Sequence, residues 1–182
     1  GKGAAICKIL MAGVCGTDKH TYSGEPVQYK GTPDEFSIPF PIIQGHELAM
    51  EIVAIDEEGA KNLSFDGDYL KVGDRVTICP DVVCGECWFC KNMPSYPWCE
   101  KAKFHYGHNR STTEGKQLYG GFSQYMYIEP GARLYKIPDG LPNDLACFTE
   151  VMCVTYTLEK AREFSSFDLE GFNFGDTVVI QG

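Results

Sequence analysis

The chain has 182 residues, a formal net charge of −9 and 43% apolar side chains, enough to bury one good core and slightly long for a single average domain. Its acids are spread along the length with no basic stripe, which excludes a nucleic-acid or anionic-membrane surface and favours a small soluble ligand. No stretch reaches the ~18 consecutive apolar residues of a membrane span, and no charged leader precedes an apolar run, so the cytoplasm is the expected compartment.

The first element is the apolar run Ala4 to Leu10, which starts directly after Gly1-Lys2-Gly3. The last is the strand-like Thr177 to Gln181, followed only by Gly182. Both ends have the look of a cut. Residues 47–56 are rich in β-branched and apolar side chains with the imperfect alternation of a half-buried strand. The polar segment Glu57 to Lys71 reads as a surface loop, and Gly73-Asp74 introduces a second strand, Arg75 to Cys79. Gly120-Gly121 opens a further strand, Phe122 to Ile128, and Ala132 to Ile137 reads as another. Short strands punctuated by Gly and Pro predict a compact β-barrel.

From Pro142 the texture changes. Asn143 or Asp144 can cap a helix running to about Arg162, whose apolar positions Leu145, Phe148, Val151, Met152, Thr155 and Leu158 follow i, i+3, i+4 spacing. The other face carries Ala146, Glu150, Cys153, Val154, Thr157 and Ala161, small residues around one carboxylate. After a loop from Gly171 to Gly175 comes a continuous apolar strand, Val178 to Gln181, ending in Gly182. A buried strand running into Gly is how a dinucleotide-binding βαβ unit begins.

Nine cysteines in a chain of this size admit a disulfide scaffold, but four of them, Cys84, Cys87, Cys90 and Cys99, sit in one cluster while the rest are scattered singly. Metal ligation in a reducing compartment explains this more simply. Four thiolates at that spacing form a tetrahedral cage for zinc with no open position, so the cluster contributes folding energy and any chemistry lies elsewhere. A second constellation is available. Cys15-Gly16-Thr17-Asp18-Lys19-His20 holds a thiol, a hydroxyl, a carboxylate and an imidazole, and Gly45-His46-Glu47 sets an imidazole beside a carboxylate just before a strand. A catalytic zinc takes three protein ligands and leaves one position open, and Cys15 and His46 can supply two of them. Asp18 or Glu47 can hold the imidazole ring in one tautomer. Each also has a plain reading: Cys15 as a small core residue, His46-Glu47 as a surface or capping pair. Phe104, His105, Tyr106 and His108, just after the cysteine lobe, read as packing for that lobe rather than as part of a cleft.

Taken together, these residues resemble the zinc-dependent medium-chain alcohol dehydrogenase family. The resemblance rests on Ala12-Gly13-Val14-Cys15-Gly16-Thr17-Asp18, Gly45-His46-Glu47, Val72-Gly73-Asp74-Arg75-Val76, the four-cysteine lobe, Gly120-Gly121-Phe122-Ser123-Gln124-Tyr125 and Thr177-Val178-Val179-Ile180-Gln181-Gly182, in the family's order. It implies a mainly β, GroES-like barrel with a structural zinc lobe over residues 1–143, followed over residues 144–182 by a connecting helix and the first strand of a truncated Rossmann α/β domain. It implies two zinc ions: a structural one on Cys84, Cys87, Cys90 and Cys99, and a catalytic one on Cys15 and His46 with Glu47 beside it and Asp18 behind. The third catalytic ligand falls in the helix, on Glu150 as in the polyol and threonine dehydrogenase-like branches, with Cys153 one turn on as the competitor.

The same resemblance assigns Thr17 and His20 to passing the proton outward, and Gly182 to the first Gly of the turn that binds NAD or NADP. It further implies a small alcohol, polyol or carbonyl substrate, no nucleic-acid or membrane partner, and a parent homodimer or homotetramer. A fragment ending here should hold zinc without turning over. Two departures from the family pattern are visible: eight residues between Cys90 and Cys99, with Pro94 and Pro97 among them, and a long segment from Glu57 to Lys71. The rival readings are a reductase or lyase-like relative on the same scaffold, and a non-enzymatic zinc-stabilised barrel or interaction module.

Overall fold

The computed structural model describes residues 1–28, 30–32, 35–92, 99–101 and 104–156, together with 177, 179 and 181. In chain order the elements are β1 (Ala5–Ala12), α1 (Gly16–Tyr22), β2 (Val27–Gln28), β3 (Phe36–Ser37), β4 (Leu48–Ile55), α2 (Glu57–Asn62), β5 (Arg75–Cys79), β6 (Asp81–Val82), α3 (Trp88–Asn92), β7 (Phe104–His105), β8 (Tyr125–Ile128), β9 (Arg133–Lys136), α4 (Asn143–Ala146) and α5 (Thr149–Thr155). The chain divides into two compact units, Gly1–Glu150 and Val151–Gly182. No helix among the described residues is long and apolar enough to cross a membrane.

The first unit is built on a five-stranded sheet of order β8-β1-β4-β5-β9, so the described structure is mainly β. Its central ladder is β1 against β4, antiparallel from Ala5↔Ile55 to Ala12↔Leu48, with register shifts after Ile6 and Ile9 that bend the strand. Alternate positions of these strands turn into one core: Cys7, Leu48, Met50, Ile52, Val76, Met126, Ile128 and Leu134 are fully or almost fully buried. Each such aliphatic contributes about 1.5–3 kcal/mol by leaving water. Tyr106 and Tyr119 close the core from the side, and the Arg110 guanidinium lies over the Phe104 and Tyr119 rings at 4.4 and 4.3 Å.

Strands β4 and β5 coincide with the expected segments to within one residue at each end. Three other segments differ from expectation. Glu57 to Lys71 is not simply a loop: its first part is α2, because Asp56 caps it by accepting from the Gly59 N–H at 2.7 Å, and Lys61 pairs with Glu57 one turn back at 2.8 Å. Strand β8 starts at Tyr125 rather than Phe122, because the Gly121 and Phe122 N–H groups donate to the carbonyls of Gly45 and Gln44, in the loop before β4.

The helix expected from residue 143 is two helices. Helix α4 closes with the Cys147 N–H donating to Asn143, and α5 begins at Thr149. A single 3.6-residue phase across this segment therefore misassigns the faces. Small Ala146 and Cys147 pack with Ala49 and Ile137, while Leu145, Phe148 and Met152 stand exposed. The expected continuation to Arg162, the loop from Gly171 to Gly175, Val178, Ile180, Gly182, Pro94 and Pro97 lie outside the described residues.

Candidate metal centres

The first centre is local. Cys84, Cys87, Cys90 and Cys99 bring their Sγ atoms to within 4.8 Å of one another. Cys84 Sγ and Cys90 Sγ are 3.8 Å apart, and a tetrahedral zinc with Zn–S bonds of ~2.3 Å has S···S edges of roughly that length. Backbone N–H groups point at the sulfurs: Glu86 and Cys87 donate to Cys84 Sγ at 3.4 and 3.3 Å, and Cys90 to Cys87 Sγ at 3.4 Å. These bonds push the Cys84 thiol down to about 6, whereas burial pushes Cys90 up to about 12. Four crowded thiols cannot all ionise unaided, and a divalent cation removes that conflict. The donor set fits zinc and leaves no side open.

The second centre is assembled from the ends of two paired strands. Because Ala12 of β1 faces Leu48 of β4, Cys15, just after β1, and His46-Glu47, just before β4, emerge at the same end of the ladder. The Gly13 N–H prolongs the ladder by donating to the Glu47 carbonyl at 2.8 Å. The result is a thiol, an imidazole and a carboxylate, Cys15, His46 and Glu47, with ligand atoms within 4.8 Å of one another. His46 and Glu47 are buried and Cys15 is half-buried. Burial pushes the His46 imidazole below its usual range and the Glu47 carboxyl above its own, the latter offset by a hydrogen bond from Cys15. A thiolate and an imidazole are donors of the softness zinc takes, and with Cys15 and His46 as ligands the site keeps positions open for further donors.

Glycine is required at two points here. A Cβ on Gly13 would stand 2.1 Å from Glu47 Oε2 and 3.0 Å from Glu47 Cβ. A Cβ on Gly120 would stand 1.9 Å from the Ile43 carbonyl oxygen, which backs the segment leading to His46. At Gly120 the obstacle is backbone, which only a bare glycine approaches so closely, whereas at Gly13 an added Cβ would push the Glu47 carboxylate aside.

Asp18 does a different job from ring orientation. Its Oδ2 accepts from the Cys15 N–H at 3.0 Å and its Oδ1 from the Gly45 N–H at 3.2 Å, so one buried carboxylate ties the two ligand-bearing segments together. The Asp18 Oδ1 to His46 Nδ1 distance is 3.9 Å, too long for a hydrogen bond, and Nδ1 has no hydrogen-bond partner among the described residues. Thr17 and His20 lie on α1, three residues apart and so on one side of it. The Thr17 hydroxyl is buried without a hydrogen-bond partner among the described residues, while His20 is exposed and holds Glu25 at 2.9 Å.

Glu150 is not part of the close Cys15, His46 and Glu47 group, but it is near enough to feel it. Burial pushes its carboxyl up, and the Glu47 charge adds to the rise. Cys153, in the second unit, is exposed. Of the residues after the cysteine lobe, Phe104 and Tyr106 pack the core as expected. The two histidines do not stop at packing: the His105 ring meets His46 edge-on with centroids 5.3 Å apart, and His108 stacks at 6.3 Å. His105 Nδ1 is held by Asp81 Oδ1 at 2.8 Å. The role of Asp81 has no signal in the sequence, since it stands alone between Pro80 and Val82.

Known proteins resemble the chain along nearly its whole length. The chain is 28% identical over 181 residues to an erythritol/L-threitol dehydrogenase of Mycolicibacterium smegmatis, covering 99% of this chain and 44% of that protein. It is 31% identical over 177 residues to an L-threonine 3-dehydrogenase of Edwardsiella ictaluri, covering 97% and 42%. The crystal structure of an alcohol dehydrogenase from Thermotoga maritima superposes with a TM-score of 0.67 at 31% identity, covering 82% of this chain and 38% of that one. The chain thus spans less than half the length of the curated relatives it matches. The profile of the alcohol dehydrogenase GroES-like domain matches residues 1–139. The chain belongs to the zinc-type alcohol dehydrogenase family, of which it carries the GroES-like domain.

Proposed function

We propose that this chain is the catalytic, zinc-binding part of an NAD(P)-linked dehydrogenase acting on a small secondary alcohol or polyol, or on the corresponding carbonyl. The observation that carries the reading is the meeting of Cys15, His46 and Glu47 at one end of the β1–β4 ladder. A zinc ion held there supplies Lewis-acid polarisation of the substrate oxygen. Cys15 and His46 are its fixed ligands and Glu150 is the third, with Glu47 beside it. The carboxyl of half-buried Glu150, raised by burial and then by the Glu47 charge, supports this: a carboxylate disfavoured on both counts gains from a cation beside it. Charge does not separate Glu150 from Cys153, because a thiolate, an imidazole and a carboxylate balance the metal as two thiolates and an imidazole would.

The chain's own groups handle the proton. The Thr17 hydroxyl, buried and without a hydrogen-bond partner among the described residues, takes the substrate hydroxyl proton at Oγ1 as it gives up its own. His20, exposed on the same side of α1, receives it and passes it to solvent. The Cys84 to Cys99 site holds a second, structural zinc. A nicotinamide cofactor, NAD or NADP, would supply the hydride acceptor; it would be held mainly by residues other than those described, with Gly182 as the first glycine of its phosphate turn. The parent protein works in the cytoplasm as a homodimer or homotetramer.

Turnover of C4 to C6 polyols by the intact parent protein with NAD and with NADP tests the proposal. Cys15→Ala should remove activity by at least about a thousandfold, in line with loss of a metal that polarises the reacting oxygen. Glu150→Ala should cost more than tenfold. Full activity in Glu150→Ala would transfer the third-ligand role to Cys153 or another residue, and full activity in Cys15→Ala would end the catalytic reading.

A further inference from the structure

The ring of His46 must be held in one plane to serve as a ligand, and the carboxylate expected to hold it is committed to the backbone. Asp18 accepts from the Cys15 and Gly45 N–H groups, and its nearer oxygen stops 3.9 Å short of His46 Nδ1. What touches the His46 ring is imidazole. His105 meets it edge-on, interplanar angle 73°, with ring centroids 5.3 Å apart.

His105 is itself fixed on several sides. Strand β6 pairs with β7 so that Asp81 stands directly opposite His105, and the Asp81 carboxylate accepts from His105 Nδ1 at 2.8 Å. The His105 N–H donates to Asn109 Oδ1 at 2.6 Å, and the neighbouring Tyr106 N–H donates to the Pro80 carbonyl at 2.8 Å. Asp81 is buried, and the His105 side chain is 20% exposed. With Nδ1 bound to Asp81, the ring turns Nε2 inward, where it is buried with no hydrogen-bond partner among the described residues. This two-stranded clamp also forms the neck of the cysteine lobe: the chain enters the cage from Val82 towards Cys84 and returns after Cys99 to Phe104.

We propose that His105, clamped by Asp81 at the neck of the four-cysteine lobe, is the positioning residue that fixes the His46 imidazole for metal binding at the Cys15, His46 and Glu47 centre. The inference rests on the functional reading above only in taking His46 as a ligand. The physical logic is that of outer-shell support in metal sites, where a group touching a ligand ring typically changes metal affinity by 10–100-fold. Here the support is a hydrogen-bonded imidazole standing against the ring, in place of a carboxylate bonded to it. It also gives the structural cage a task beyond stability, because the cage closes the loop whose ends carry the clamp.

The test is titration of the metal-free 182-residue chain with Co2+, followed by visible absorption. The cage gives thiolate charge-transfer bands that serve as an internal control of folding, and the second centre gives its own ligand-field bands. In the unmodified chain both should fill. Asp81→Ala and His105→Ala should each weaken the second centre by about tenfold or more and shift its ligand-field bands, with the cage unchanged. The double variant should lose no more than the worse single variant, since both act along one line. Asp81→Asn, which keeps an oxygen acceptor for His105 Nδ1, should stay within about threefold of the unmodified chain.

Unchanged affinity and bands in His105→Ala with an intact cage would overturn the proposal. So would Asp81→Asn as damaging as Asp81→Ala, which would make the charge and not the clamp the cause. If His105→Ala fails to form the cage, His105→Gln takes its place under the same criteria. An unmodified chain that fills only the cage would defeat the functional reading itself, a result distinct from the loss of the clamp alone.

Discussion

The two metal centres are built on opposite plans. The cage draws all four donors from one stretch, Cys84 to Cys99, and aims local N–H groups at its own sulfurs. The Cys15, His46 and Glu47 centre exists only where β1 and β4 pair, and it depends on Asp18, Gly13 and Gly120 to hold its two segments together. A contiguous site can close around a metal before the rest of the chain is in place; a discontinuous one is a product of the finished fold. The cage should therefore behave as a folding device, and the second centre as a readout of the sheet.

The largest expected effect separates them at once. Cys87→Ser should abolish the cage and lower the thermal midpoint of the zinc-loaded chain by at least about 10 °C, because a structural zinc contributes several kcal/mol to folding. Cys15→Ser should move that midpoint by less than about 3 °C. Calorimetry on both variants checks this, and equal shifts would erase the distinction between the two plans.

Gly120→Ala comes next. Its new Cβ meets backbone, the Ile43 carbonyl, rather than a side chain that can swing away. We expect a loss of about 3 kcal/mol or more in denaturant unfolding, with the second centre emptied and the cage still able to bind. Asp18→Ala should follow at about 2–3 kcal/mol, since two N–H groups at the joint lose their charged acceptor. Its metal loss should again be confined to the Cys15 centre. Asp56→Ala, which removes the cap of α2 at the opposite end of β4 from His46, should lower stability least of the three and leave both metals in place. A change in metal content from that last variant would mean that global stability, not local assembly, governs occupancy.

The same contrast explains how much of the molecule is legible in its sequence. The cage can be read directly, since spacing alone brings its sulfurs together. Cys15 and His46 are recognisable only through motifs in a family's order, because nothing local says that the ends of β1 and β4 meet. Helix α2 reads as loop because a short helix held by one Asp cap and one Glu–Lys pair has little hydrophobic periodicity. The single helix expected from residue 143 fails for the opposite reason: a good periodicity runs straight across the break after Ala146, and puts large Leu145 and Phe148 inward where small Ala146 and Cys147 pack instead. The Asp81–His105 clamp is out of reach of such reading, because it is a cross-strand pair between two-residue strands, with the whole cysteine lobe inserted between its halves.

The most direct test of this account is the zinc content of the purified chain and two variants, measured by elemental analysis after reconstitution and exhaustive dialysis. The account predicts two zinc ions per chain, one in Cys15→Ser and no more than one in Cys87→Ser, with the folded fraction falling only in the latter. One zinc per chain, indifferent to Cys15→Ser, would contradict it.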